Sequence, residues 1–192
     1  MPEHFIQTCT GKRFDLLDSD PESICIEDIA HSLSHQSRFT GHCKWFYSVA
    51  LHSILVCEKA EPQDKLYALL HDAAEAYIGD ISTPLKNILH DDTEEDYLWC
   101  LEISIMDRIL GRFNIDVELE TIERVKTIDS RMLITEAQLL LGDISGWEAL
   151  EKYKPYDDFI TITNIKNAVW HGYGTDYHQF INTFNILVKD KK

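Results

Sequence analysis

Two histidines and two aspartates from three separate stretches are the residues best suited to chemistry: His52, the adjacent pair His71-Asp72, and Asp129. Imidazole nitrogens and carboxylate oxygens are the ligands that a divalent transition ion takes in a mixed site, and four of them delivered from three helices could hold one. His71-Asp72 lies in LLHDAAEAYIGDISTPLK (69–86), the most informative run of the chain. Each residue also has a plainer reading. A lone buried histidine is often a satisfied core residue, a His-Asp-Glu arc can be the solvated face of a helix, and a core aspartate can belong to an ion pair.

The elements that must position these residues read as mostly helical. FIQTCTGKRFDLL (5–17) suggests two short strands around a Thr-Gly-Lys turn, a flap or an edge feature. A first short helix runs from Glu27 to about Ser34, and a second from about Phe46 to Lys59. Glu61-Pro62 opens a third, with Pro where the first turn tolerates it, and this helix runs to Ile78 and stops at Gly79. ISTPLK is a loop closed by Pro84, and 94–111 and 118–141 form two longer amphipathic helices. After Gly142 the pattern weakens into a Gly/aromatic patch (WHGYGTDYH, 170–178) and a short apolar stretch. The expectation is an all-α single domain over 1–192 with a short N-terminal β-hairpin.

At 100° per residue, Leu66, Leu69, Leu70, Ala73 and Tyr77 form the core face of the 62–78 helix. His71, Asp72 and Glu75 share the opposite arc, where Ala68 and Ala76 leave room for another helix. His52 is surrounded by Trp45, Val49, Leu55 and Val56 and should be buried. Asp129 falls amid Ile122, Val125, Met132, Leu133 and Leu140, with Glu136 two turns further along the same stripe. Carboxylates in a core are costly unless neutralised, paired or bound to a cation. A shared metal accounts for all of these groups at once.

The formal charge of −15 argues against a protein that grips a nucleic-acid polymer, since that binding needs Lys and Arg against phosphates. A small anionic substrate remains open because a bound cation supplies local positive charge. Five cysteines without a CxxC indicate neither a disulfide framework nor a cysteine zinc site. The first residues lack a signal-peptide pattern, and no apolar run reaches spanning length, so a cytoplasmic protein without a membrane segment is expected.

His52 in YSVALHS, His71-Asp72 in LLHDAAEAYIGD and Asp129 in VKTIDSRMLITEA together resemble the HD-domain phosphohydrolases. The resemblance covers about 26–140. It is strongest to the 5′-deoxynucleotidase branch and to small phage and bacterial HD hydrolases, among them dATP triphosphohydrolases. Glu75, Gly79-Asp80 and Thr83-Pro84-Leu85-Lys86 follow that branch, and Arg38 in RFTGH is similar to its phosphate-contacting arginine. The resemblance implies an HD-domain helical bundle with one divalent transition metal (Co, Mn, Zn or Fe) on His52, His71, Asp72 and Asp129. It implies Glu75 as general base or water-orienting residue, Asp80 in proton transfer or sugar reading, and Arg38 on phosphate. Lys86 could assist at the mouth, and His42 and Trp45 could line the pocket. The reaction expected is hydrolysis of a dNTP, of the dATP type, to deoxynucleoside and triphosphate. A 5′-deoxynucleotidase acting on dNMPs and a non-catalytic nucleotide-binding module are the alternatives. Related enzymes often assemble as homo-oligomers.

Overall fold

The chain begins with Phe5–Gln7 (β1) and Arg13–Asp15 (β2), paired antiparallel with Ile6 opposite Phe14. Gly11, at φ 86°, supplies the left-handed residue of the turn between them, where a side chain would be strained. This computed structural model describes residues 4–91, 97–168 and 173–190. The predicted helix start at 94–96 and the 170–172 part of the aromatic patch lie outside these.

The hairpin is clamped to the helices, so it is an edge and not a flap. Phe14 is fully buried and stacks on Tyr77 with ring centroids 3.7 Å apart, worth about 0.5–1.5 kcal/mol beyond its buried area. Buried Asp28 holds the turn from the other side. It accepts from the Thr10 amide at 2.9 Å and hydroxyl at 2.8 Å, and from the Cys9 and Cys25 thiols at 3.0 and 2.9 Å. All five cysteines are free thiols.

Burial works against the charge on Asp28, but these donors outweigh it and hold the carboxyl down at about 2. A depressed carboxyl contributes stability above its unfolded value, and that stability is lost as pH falls through the folded one. Asp28→Asn should therefore be less stable than the parent at neutral pH by roughly 1–3 kcal/mol, with the gap closing between about pH 4 and pH 2. Urea denaturation across that range tests it; a gap independent of pH contradicts the assignment.

Ile26–His35 (α1) buries Ile26, Ile29, Ala30 and Leu33 at helical spacing. Val49–Lys59 (α2) is buried on every side from Val49 to Cys57 and forms the centre of the molecule. It starts later than the predicted Phe46 because Ser48 caps it, its hydroxyl accepting from the Leu51 amide at 3.0 Å. Lys65–Leu70 (α3) and Glu75–Ile78 (α4) replace the single predicted helix. Thr83–Asp91 (α5) occupies the segment expected as a loop. Pro84 sits in its first turn, and the Leu85 and Lys86 amides bond back to Ser82. Tyr97–Arg112 (α6) and Leu119–Leu140 (α7) follow the two predicted amphipathic helices.

Beyond Gly142 the chain forms Ala149–Lys152 (α8), Phe159–Ala168 (α9) and Tyr173–Asp190 (α10). α10 packs on α1, α2 and α3, placing Phe180 and Phe184 in the core, and Ser48 donates to its Asp176 at 2.5 Å. α2 thus meets α1, α3, α7 and α10. The architecture is mostly helical with a small hairpin. No helix among the described residues is long and apolar enough to cross a membrane.

Candidate metal centre

Central α2 carries His52, fully buried. The turn after α3 carries His71 and Asp72, and α7 carries Asp129 and Glu136. One candidate ligand atom each from His52, His71 and Asp72 lies within 4.8 Å of the others. His71 Nε2 is 3.2 Å and His52 Nε2 3.7 Å from Asp72 Oδ2. Asp129 stands beside this trio, its Oδ1 3.0 Å from His52 Nε2 and 3.9 Å from His71 Nε2. Its side chain is 34 % exposed, so it lies at the edge of the apolar stripe and not in the middle, as the helical projection predicts. Glu136, one of the two acids on that stripe, is the one in the core.

The tautomers of both histidines follow from their partners. His71 Nδ1 lies 2.8 Å from the Ala68 carbonyl, which can only accept. His52 Nδ1 lies 2.8 Å from Glu136 Oε1, which also accepts from the Tyr47 hydroxyl at 2.8 Å. Both Nδ1 atoms therefore carry the proton, leaving both Nε2 lone pairs aimed at the carboxylates. These Nε2 atoms are buried and lack a hydrogen-bond partner. Two orphaned imidazole nitrogens facing two carboxylates suit a divalent transition ion.

The electrostatics agree. Burial and Arg38 oppose charge on His52, yet Glu136 and Asp129 prevail and raise it to about 9. Burial also opposes charge on His71, and Asp72 overrides it upward. The carboxyls of Asp72 and Asp129 are pushed down despite burial, because the imidazoles sit beside them. The carboxylates that favour positive charge on the imidazoles would equally favour a bound cation, whose histidine ligands are neutral.

The local backbone at His71-Asp72 departs from a straight α-helix. The amides of Ala73, Glu75, Ala76 and Tyr77 each bond to the carbonyl three residues back, at 2.8–3.2 Å. At three residues per turn, positions i and i+3 eclipse, so Asp72 and Glu75 come onto one line instead of sitting about 60° apart. Glu75 is buried, with Oε2 lacking a partner. Burial, then Asp72 and Asp80, raise its carboxyl to about 10.

Gly79, at φ 86°, ends α4. The Gln36 side chain clamps both sides of that end: Oε1 accepts from the Asp80 amide at 2.8 Å, and Nε2 donates to the Glu75 carbonyl at 2.9 Å. Asp80 is half-buried, its carboxyl raised by burial and by Asp72.

Arg38 is buried, with Nη1 3.8 Å from Asp72 Oδ2 and Nε 3.1 Å from Glu136 Oε2. Its amide bonds to the Tyr47 carbonyl at 2.9 Å, next to the Ser37–Ser48 bridge. Phe39 and Thr40 both take left-handed φ of 54°, costing about 1–3 kcal/mol each. The strain sits immediately beside Arg38. His42 and Trp45 follow on the same loop and are exposed, Trp45 at 38 %. The helix expected to bring Trp45 beside His52 starts only at Val49.

Lys86 Nζ bonds both oxygens of Glu102 at 3.0 and 2.9 Å and lies 4.0 Å from Glu75 Oε1. A cleft of about 550 Å³ opens there, lined by Thr83, Lys86, Asn87, Trp99, Glu102 and Lys126. Sequence reasoning assigned no role to Gln36, Tyr47 or Glu136, although the apolar stripe had marked Glu136 as a buried acid.

The chain is 37 % identical over 190 residues to the Escherichia coli K12 protein described as "Uncharacterized protein YfdR", covering 98 % of each. It belongs to the YfdR family. A second relative, "Uncharacterized protein RCAP_rcc00048" of Rhodobacter capsulatus, is 48 % identical over 86 residues, 40 % of this chain and 44 % of that one. No family model matches. What YfdR shares with the chain is ancestry along its length, and the chemistry rests on the side chains above.

Proposed function

We propose that this YfdR-family protein is a single HD-type domain over 1–192 that hydrolyses deoxynucleotide phosphoesters. The observation that carries the reading is the pair of unpartnered His52 and His71 Nε2 atoms facing Asp72 and Asp129, with Arg38 alongside. His52, His71, Asp72 and Asp129 would hold one divalent ion (Co, Mn, Zn or Fe), which supplies polarisation of the phosphoryl group and acidification of a water.

The chain's own residues do the rest. Arg38 offers a planar fork to phosphate oxygens. Glu75, in line with Asp72, orients the attacking water, and would serve as its general base where a bound cation offsets the Asp72 and Asp80 charges that hold its carboxyl up. Asp80, held by Gln36, faces the sugar or passes that proton on. His42 and Trp45 meet substrate only at the outer rim of the Arg38 loop.

A dNTP of the dATP type is the favoured substrate, because Lys86 and Lys126 line a cleft that can take an extended phosphate chain. One observation favours a 5′-deoxynucleotidase instead: Glu102 already engages Lys86 through both oxygens, leaving Arg38 to serve a single phosphate. Product chromatography after incubation with each dNMP and dNTP in Co²⁺, Mn²⁺ or Zn²⁺ decides. Triphosphate and nucleoside from dNTPs support the favoured reading, and phosphate from dNMPs alone supports the second. No turnover of either overturns both.

A further inference from the structure

Both ring nitrogens of His52 are flanked by carboxylates from one helix. On α7, Asp129 Oδ1 approaches Nε2 at 3.0 Å, and Glu136 Oε1 holds Nδ1 at 2.8 Å. The other Glu136 oxygen lies 3.1 Å from Arg38 Nε, without completing a hydrogen bond. Glu136 is fully buried, and an ionised carboxylate there costs several kcal/mol of desolvation. Well-packed apolar residues often stabilise a core as well as such a pair does. Every partner of Glu136 leads to the site: His52, Arg38, and Tyr47, whose carbonyl also binds the Arg38 amide.

We propose that Glu136 is a positioning residue, sharing one carboxylate between the metal ligand His52 and the phosphate arm Arg38. It keeps the proton on His52 Nδ1, so that Nε2 presents its lone pair, and it strengthens the imidazole as a donor. It also holds Arg38 back from Asp72, which lies only 3.8 Å away and which the guanidinium would otherwise share with the ion. The proposal rests on the metal-site reading above and adds what orients that site.

The test is Co²⁺ titration of chelator-treated full-length protein, read by the visible absorption of the bound ion, for wild type, Glu136→Gln, Arg38→Met and the Arg38→Met/Glu136→Gln double variant. Gln can keep the Tyr47 and Nδ1 hydrogen bonds while removing the charge. Glu136→Gln is expected to bind Co²⁺ about 10–100-fold more weakly, with an altered absorption band. The loss should persist between Arg38→Met and the double variant. The double variant also leaves no buried charge of that pair unmatched, so it serves if Glu136→Gln alone does not fold.

Inorganic phosphate, titrated into the Co²⁺-loaded proteins, should bind Glu136→Gln more weakly than wild type. Wild-type affinity and spectrum in Glu136→Gln, or full recovery in the Arg38→Met background, overturn the positioning role. Wild type that binds no Co²⁺ overturns the proposed function itself. Glu136-dependent Co²⁺ binding without nucleotide turnover leaves this inference standing and removes the catalytic one.

Discussion

Asp72→Asn is expected to abolish the proposed nucleotide hydrolysis and to weaken divalent-metal binding by more than about 100-fold, beyond the range expected for groups outside the ligand shell. Among the described residues, Asp72 is the one carboxylate within 4 Å of His52, His71 and Arg38 together. Asn keeps the shape but removes the negative charge that draws a cation among these cationic groups. The charge also steadies both imidazoles and Arg38, so the metal-free variant should melt below the parent. Calorimetric titration with Mn²⁺ and product analysis check the two halves. Retained metal affinity with lost hydrolysis would move Asp72 from ligand to another role.

Glu75→Gln separates catalysis from binding. It should lower kcat about 10²–10⁴-fold, the usual range for losing a general acid or base, while metal affinity stays within about threefold of wild type, far inside the outer-shell range. The reason is positional. The i→i+3 turn lines Glu75 up with Asp72, yet among the described residues Glu75 pairs with neither histidine, whereas Asp129 approaches both. Steady-state kinetics on the preferred nucleotide, beside the same calorimetric titration, read both numbers. Equal losses in kcat and metal affinity would make Glu75 a ligand or its support.

The histidines and acids were legible because residue type and helical spacing speak directly to metal chemistry. The turn that carries them was not. Residues 62–78 have one amphipathic pattern, and nothing in it distinguishes a straight α-helix from one that tightens at 71–77. Glu136 stood out as an acid on an apolar stripe, but its partners Tyr47 and Arg38 come from a loop whose path periodicity cannot trace. Gln36 carries no periodic signal, and its clamp on Glu75 and Asp80 exists only once α1 meets α4. α10 was readable and was missed: Tyr177, Phe180, Ile181, Phe184, Leu187 and Val188 keep helical spacing into the core, but the glycines before them read as a break. Trp45 shows the reverse error, a large aromatic assigned inward that lies on an exposed loop.

In the proposed site His52, His71, Asp72 and Asp129 together hold one divalent ion. Elemental analysis of protein purified without chelator tests it most directly, with Asp72→Asn prepared in parallel. About one equivalent of a transition metal per chain is expected in wild type, matching the single ligand cluster among the described residues, and little or none in the variant. Metal-free wild type that takes up no Co²⁺, Mn²⁺, Zn²⁺ or Fe²⁺ when it is offered would contradict it, and would leave the cluster as a buried ion-pair network.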